Sequence, residues 1–222
     1  MPADKKEIET QIDAVKQTMN SILAESNLAR FISTNKNVLG SGKMLRSRLV
    51  QHIGLGGTSS PDLLIRAGAA VDIIHAASLV HDDVIDGGII RRGAPTFWKK
   101  HGTNGAILFG DLMMFRALSL LVDSARPDLL KELVDMTGEV CRSEAEQELI
   151  LRGTPGTWKE CEQIARFKTG SLFAFAAVAG GSGNVKEADA LREAGFILGT
   201  AYQLADDILD ASGNEEVSGK TL

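Results

Sequence analysis

The amino-acid sequence predicts an all-α protein folded as one domain, and three observations lead there. Apolar residues recur at spacings of three and four along almost the whole chain. No alternating strand pattern of useful length occurs, and no repeat of fixed period. The connections are short and glycine-rich: LGSGK, GLGGTSS, IRRGAPT, RGTPGT and GGSGN.

Taken in order, Ile8, Ile12, Val15, Met19, Ile22 and Leu23 form the apolar stripe of an amphipathic first helix. Residues 61–86 read as a long helix, with Pro61 near its start and Gly87–Gly88 ending it. Its Ala- and Ser-rich face permits close helix packing. Residues 104–123 and 127–152 read as two more helices, the second opening at Pro127. WKECEQIARFKTGSLFAFAAVAG reads as another, and the last runs from about Glu187 to Asp210.

The 222 residues are 44 % hydrophobic and 24 % charged, with a net charge of −5. That composition supplies a core and gives no electrostatic reason to expect nucleic acid as a partner. Two cysteines, Cys141 and Cys161, make neither a disulfide framework nor a zinc site. The charged N-terminus has no apolar signal region. The longest apolar run, SLFAFAAVAG, is half of the roughly 20 residues a membrane span needs. The expectation is a cytoplasmic protein with no transmembrane segment.

Two acidic clusters interrupt this pattern. HDDVID carries Asp82, Asp83 and Asp86, and ADDILD repeats the spacing with Asp206, Asp207 and Asp210. On a helix, positions i and i+4 share a face about 5–6 Å apart. Asp82 and Asp86 therefore project together, as do Asp206 and Asp210, while Asp83 and Asp207 turn partly away. A single cluster would pass for a solvated helix end. Two with matching spacing, each following an apolar stretch, call for positive charge between them. Hard divalent cations with oxygen ligands fit best. Mg²⁺ takes one or two carboxylates and completes its octahedron with water and phosphate oxygens. No Glu-x-x-His pair is present, which argues against a di-iron carboxylate bundle. Fixed cations suited to phosphate lie in GSGKMLR (Lys43, Arg46), IIRRGAPT (Arg91, Arg92) and RFKTGSLF (Lys168). GSGK is not a Walker loop, since it lacks the length and the following Ser or Thr.

GSGKMLR, VDIIHAASLVHDDVID, RRGAPT, GDLMMFRA, KTGSLFA and AYQLADDILD, in this order and spacing, resemble the trans-isoprenyl diphosphate synthases, or polyprenyl synthetases. The resemblance runs from about residue 38 to 220. It implies an isoprenoid-synthase-type antiparallel helix bundle around a central cavity, as a homodimer. The implied reaction is head-to-tail condensation of an allylic diphosphate with isopentenyl diphosphate, assisted by three Mg²⁺ ions bound with diphosphate. By the same resemblance Asp82, Asp86 and Asp206 are the main Mg²⁺ ligands, and Asp83, Asp207 and Asp210 support them. Arg91, Lys168, Thr169 and Gln203 match the allylic diphosphate site, with Lys168 among the catalytic residues alongside Asp82, Asp86 and Asp206. Lys43, Arg46, His75 and Arg92 match the isopentenyl diphosphate site, and Lys220 the lysine of a later GK segment.

Product length is expected from Ala77 and Ser78, about one turn before Asp82. Both are small where an aromatic would act as a floor, which suggests a product of geranylgeranyl length or longer. Met113, Met114 and Phe115 are candidates to close such a tunnel from the facing side. Three positions depart from the family pattern: Ser41 replaces Gly, Met44 replaces Arg and Ser47 replaces Pro. The chain stops at SGKTL, where the family continues, so a domain truncated at its C-terminal part is expected. The alternative function is a non-catalytic or regulatory subunit of a heteromeric synthase. It gives no chemical reason for keeping two complete acidic motifs. A class I terpene cyclase would lack the Lys43, Arg46 and Arg92 set for a second diphosphate.

Overall fold

A computed structural model describes residues 5–24 and 42–211, with only the backbone of Asp210 and Ala211. The helices are α1 (Lys5–Ala24), α2 (Leu45–Gly54), α3 (Pro61–Ile85), α4 (Phe97–Val122), α5 (Pro127–Glu146), α6 (Trp158–Ala165), α7 (Ser171–Gly180) and α8 (Val185–Ala211). Two π-helical turns, Gln147–Leu151 and Arg166–Gly170, follow α5 and α6.

Helix α3 is the axis of the bundle. Ser60 caps it by accepting from the Leu63 amide, with Pro61 in the first turn, an arrangement that contributes about 1 kcal/mol. Helices α1, α2, α4, α5 and α7 all pack against it. Small residues at Ala67, Gly68, Ala69 and Ala70 let these neighbours approach. Helix α7, SLFAFAAVAG, is apolar on every face and is buried along its whole length. Fully enclosing a side chain such as Phe175 contributes about 1.5–3 kcal/mol. Helices α3 and α4 are each long and apolar enough to cross a membrane by length and composition. In α3, however, 72 % of the most apolar window is covered by the rest of the chain, as in a core helix.

Several sequence expectations shift. Helix α4 starts at Phe97 rather than 104, running through a non-helical Gly102 at φ 80°. The helix expected over 127–152 changes to π geometry at Gln147, and the segment 158–180 is broken by the second π turn. Helix α2 was not anticipated, because LRSRLVQHIG is short and largely polar. It is held by Arg48, whose two terminal nitrogens donate to Glu9 of α1 at 2.7 and 2.9 Å. RRGAPT is a small hairpin rather than an open loop. β1 (Ile90–Arg91) pairs antiparallel with β2 (Ala94–Pro95) through a turn with positive φ at Arg92 and Gly93.

Helix α8 lies along one side of the bundle, against α6, α7 and the turn 166–170. Glycines set how close it comes. A Cβ on Gly199 would stand 2.6 Å from the Gly170 Cα, so only glycine fits there.

Candidate active site: a cavity between two acidic helices

The ends of α3 and α8, the start of α2, the hairpin and the turn 166–170 enclose a cavity of about 730 Å³. That is within the usual range for small-molecule sites, about 300–1,000 Å³.

Asp82 and Asp86 line it from α3, and Asp206 from α8. Burial pushes the Asp82 carboxyl up to about 6, and the charges of Glu144 and Asp86 push the same way against Lys168 and Arg91. A site that crowds carboxylates in this manner favours a bound cation. Asp83 turns away from the cavity. It is buried and accepts a 2.8 Å hydrogen bond from Arg91 Nε. Asp207 is also off the cavity, exposed, and accepts from Gln203 Nε2 at 2.8 Å. The Asp210 side chain and Lys220 lie outside the described residues.

Among the described residues, no three carboxylate, imidazole or thiol side chains converge to hold an ion by themselves. The donors that reach the cavity are oxygens, shared between two helices, and cations surround them. This donor set fits Mg²⁺, which takes few carboxylates and completes its shell with water and phosphate oxygens.

The cationic wall has several sources. Lys43 comes from the segment just before α2 and Arg46 from its first turn, Arg91 and Arg92 from the hairpin, and Lys168 from the π turn. Met44 and Arg92, both at φ 52°, place this backbone in the left-handed region. Such conformations are rare for non-glycine residues and cluster at functional sites. Gly42 leaves room for the Arg92 guanidinium, which would sit 3.1 Å from a Cβ at that position. The hairpin is strapped down by the Gly88 carbonyl, which accepts from Thr96 Oγ1 at 2.8 Å and Trp98 Nε1 at 2.7 Å. Arg46 lies 4.8 Å above the Phe173 ring, and its Nε is buried without a hydrogen-bond partner. His75 also lines the cavity. Burial and the guanidinium groups of Arg46, Arg92 and Arg91 hold its pKa well below the usual histidine value, so the imidazole is neutral.

On the opposite wall, Lys168 Nζ pairs with Glu144 Oε1 at 2.7 Å. Burial alone would lower the lysine. The Glu144 hydrogen bond and the charges of Glu144, Asp82 and Asp86 outweigh it and hold the pKa above the ordinary value. Thr169 Oγ1 donates to Gln203 Oε1 at 2.7 Å, joining the π turn to α8. π turns are frequent where side chains must be re-aimed at a functional site.

Four expected residues lie elsewhere than a tunnel wall would require. Ala77 is fully enclosed in the core and adds no surface to the cavity, whereas Ser78 does. Met113 is likewise in the core, Met114 is half-buried, and Phe115 is 72 % exposed on the outer face of α4. None of the three lines the cavity. The phase of α4 against α3 decides this, and it is set by packing that the α4 sequence does not display.

Glu144 and Asp72 are cavity residues the sequence reading missed. Glu144 sits in the acid-rich run SEAEQEL, which resembles a solvated helix face. Asp72 is buried in α3 and accepts from the Ser47 amide at 3.3 Å and from the Ser47 hydroxyl. It thereby caps the first turn of α2, where Met44 offers no side-chain cap. A proline at position 47 would have neither donor. The departure at Ser47 was the signal available in the sequence.

The family described as polyprenyl synthetase matches residues 30–222. Octaprenyl diphosphate synthase of Haemophilus influenzae is 32 % identical over 194 residues, covering 83 % of this chain and 57 % of that protein. A farnesyl diphosphate synthase of Mycobacterium tuberculosis is 34 % identical, with 82 % and 52 % covered. The chain thus spans little more than half the length of these relatives. Among solved structures, polyprenyl synthase from Caulobacter crescentus, complexed with calcium and isoprenyl diphosphate, superposes with a TM-score of 0.88. It is 30 % identical, with 97 % of this chain and 67 % of that one covered. Geranylgeranyl pyrophosphate synthetase from Pyrococcus horikoshii gives 0.86 at 27 % identity, covering 98 % and 69 %. With its helical architecture, paired acidic motifs and cationic cavity wall, the chain belongs to the polyprenyl synthetase family.

Proposed function

We propose that the chain is a prenyltransferase that condenses an allylic prenyl diphosphate with isopentenyl diphosphate, head to tail, with Mg²⁺. The observation that carries this reading is the single cavity bounded by Asp82 and Asp86 on one side, Asp206 on another, and five cations around them. Asp82, Asp86 and Asp206 would hold the metal, three ions by family resemblance, with Asp210 in support by the same resemblance and Asp83 and Asp207 acting through Arg91 and Gln203, to which they are bonded. When bound, Mg²⁺ would draw negative charge onto the leaving diphosphate.

Lys168 and Arg91 would bind the allylic diphosphate, with Thr169 and Gln203 beside them. As its C–O bond breaks, the electron pair leaves with the diphosphate, and these fixed cations stabilise the growing charge. Lys43, Arg46 and Arg92 would hold the second diphosphate, with neutral His75 as a hydrogen-bond partner. Lys220 is assigned to diphosphate binding by family resemblance. The alkene of isopentenyl diphosphate forms the new C–C bond to the allylic cation, and transfer of a proton from the resulting cation to the released diphosphate restores a double bond. Apolar lining from Ala76, Leu79, Val140 and Leu172 keeps water from that cation.

A product of geranylgeranyl length or longer is proposed on the small wall residues Ala76 and Ser78. Ser78→Phe should shorten the product, and an unchanged spectrum would remove this part. A homodimer in a cytoplasmic setting is proposed as well. The exposed α4 stripe of Leu108, Phe115 and Val122 is its candidate face, and a native mass of 23.7 kDa rather than twice that would contradict it. The deciding experiment incubates the chain with labelled isopentenyl diphosphate, a range of allylic primers and Mg²⁺. Labelled product is expected. No product with any primer would sink the reading and favour the non-catalytic subunit.

A further inference from the structure

We propose that Glu144 is the positioning residue for Lys168, setting its ammonium toward the diphosphate site; the inference rests on the reading of the cavity above. Lys168 ends a flexible four-carbon stem, so its charge is useful only where something fixes it. It stands on a π turn, where the extra residue interrupts the regular helical spacing and leaves side-chain direction to outside partners.

Three consecutive residues of that turn are each held from outside. Phe167 lies under the Arg142 guanidinium, 5.1 Å from its ring centre. Lys168 is paired to Glu144 at 2.7 Å, with both side chains less than a third exposed. Thr169 is bonded to Gln203 of α8. Arg142 and Glu144 both come from the end of α5, so α5 clamps the turn at successive positions. Glu144 also lines the cavity that holds Asp82 and Asp86. An unpaired carboxylate there would repel a diphosphate. Paired, it orients the one cation that reaches the cavity from the π turn.

The test is a double-mutant cycle on binding of inorganic pyrophosphate with Mg²⁺ by calorimetry. Lys168→Met should weaken binding about tenfold or more in the wild-type background, the scale of a hydrogen bond to a charged group. In a Glu144→Gln background the same change should cost under about threefold, the two residues being coupled. Equal losses in both backgrounds overturn the inference. In condensation assays, Glu144→Gln should lower kcat/KM for the allylic diphosphate about tenfold, since the fixed cation is lost both from binding and from the transition state. Glu144→Asp, which keeps the charge, should recover part of the loss. An unchanged kcat/KM contradicts the proposal. Wild-type chain that binds no pyrophosphate with Mg²⁺ contradicts the reading of the cavity itself, an outcome distinct from equal losses.

Discussion

HDDVID and ADDILD share one spacing but occupy different settings. The first closes α3, a helix enclosed by five others, and its middle carboxylate, Asp83, is buried and paired with Arg91. The second closes α8, which packs on one side only. Its middle carboxylate, Asp207, is exposed and bonded to a neighbour on its own helix, while Ile208 and Leu209 beside it are 68 % and 46 % exposed. The same motif is thus held by the core in one case and by a glycine contact with the π turn in the other. The helical geometry brings Asp82, Asp86 and Asp206 to the cavity, and the local packing decides what the middle carboxylate of each motif does.

This difference can be broken at three levels. The largest effect should come from the carboxylates that face the cavity. Asp82→Asn and Asp206→Asn should each lower condensation by about 10²–10³-fold, the range for removing one group that stabilises transition-state charge. Similar losses at both sites, measured by label incorporation, are expected despite their different settings. A near-normal rate for Asp206→Asn would mean that the second cluster is not part of the site.

Next comes the glycine contact on which α8 depends. Gly199→Val would force a side chain against Gly170 Cα at 2.6 Å and Phe173 Cδ2 at 2.9 Å. Overpacking of this kind costs about 1–3 kcal/mol, readable in denaturant melts. An unchanged midpoint would show that α8 is held by something else.

The smallest effects separate the two middle carboxylates. Asp83→Asn removes the charge opposite Arg91 in a buried place and should destabilise by about 1–2 kcal/mol. Asp207→Asn keeps an acceptor for Gln203 at the surface and should stay within about 0.5 kcal/mol. Equal values would erase the contrast between the two settings.

Much of this was legible in the sequence because it rests on local rules. Helix α3 was expected over 61–86 and is observed over Pro61–Ile85, since Pro61 and Gly87 punctuate a long apolar run. Asp82 with Asp86 follows from helical periodicity alone. What was not legible depends on contacts distant in sequence. Glu144 and Lys168 are 24 residues apart, so nothing local marks the pair. Phe115 was a candidate tunnel residue but faces outward, because the rotation of α4 is fixed by the residues it packs on α3. The π turns depend on small deviations in hydrogen-bond spacing that composition does not encode.

The central claim is that the two acidic motifs, with the cations between them, form one diphosphate site. Calorimetric titration of pyrophosphate, with and without Mg²⁺, tests it most directly. Wild-type protein should bind only when Mg²⁺ is present, and Asp82→Asn and Asp206→Asn should each weaken that binding by an order of magnitude or more. Binding by either variant as tight as wild type, or wild-type binding indifferent to Mg²⁺, would contradict the claim.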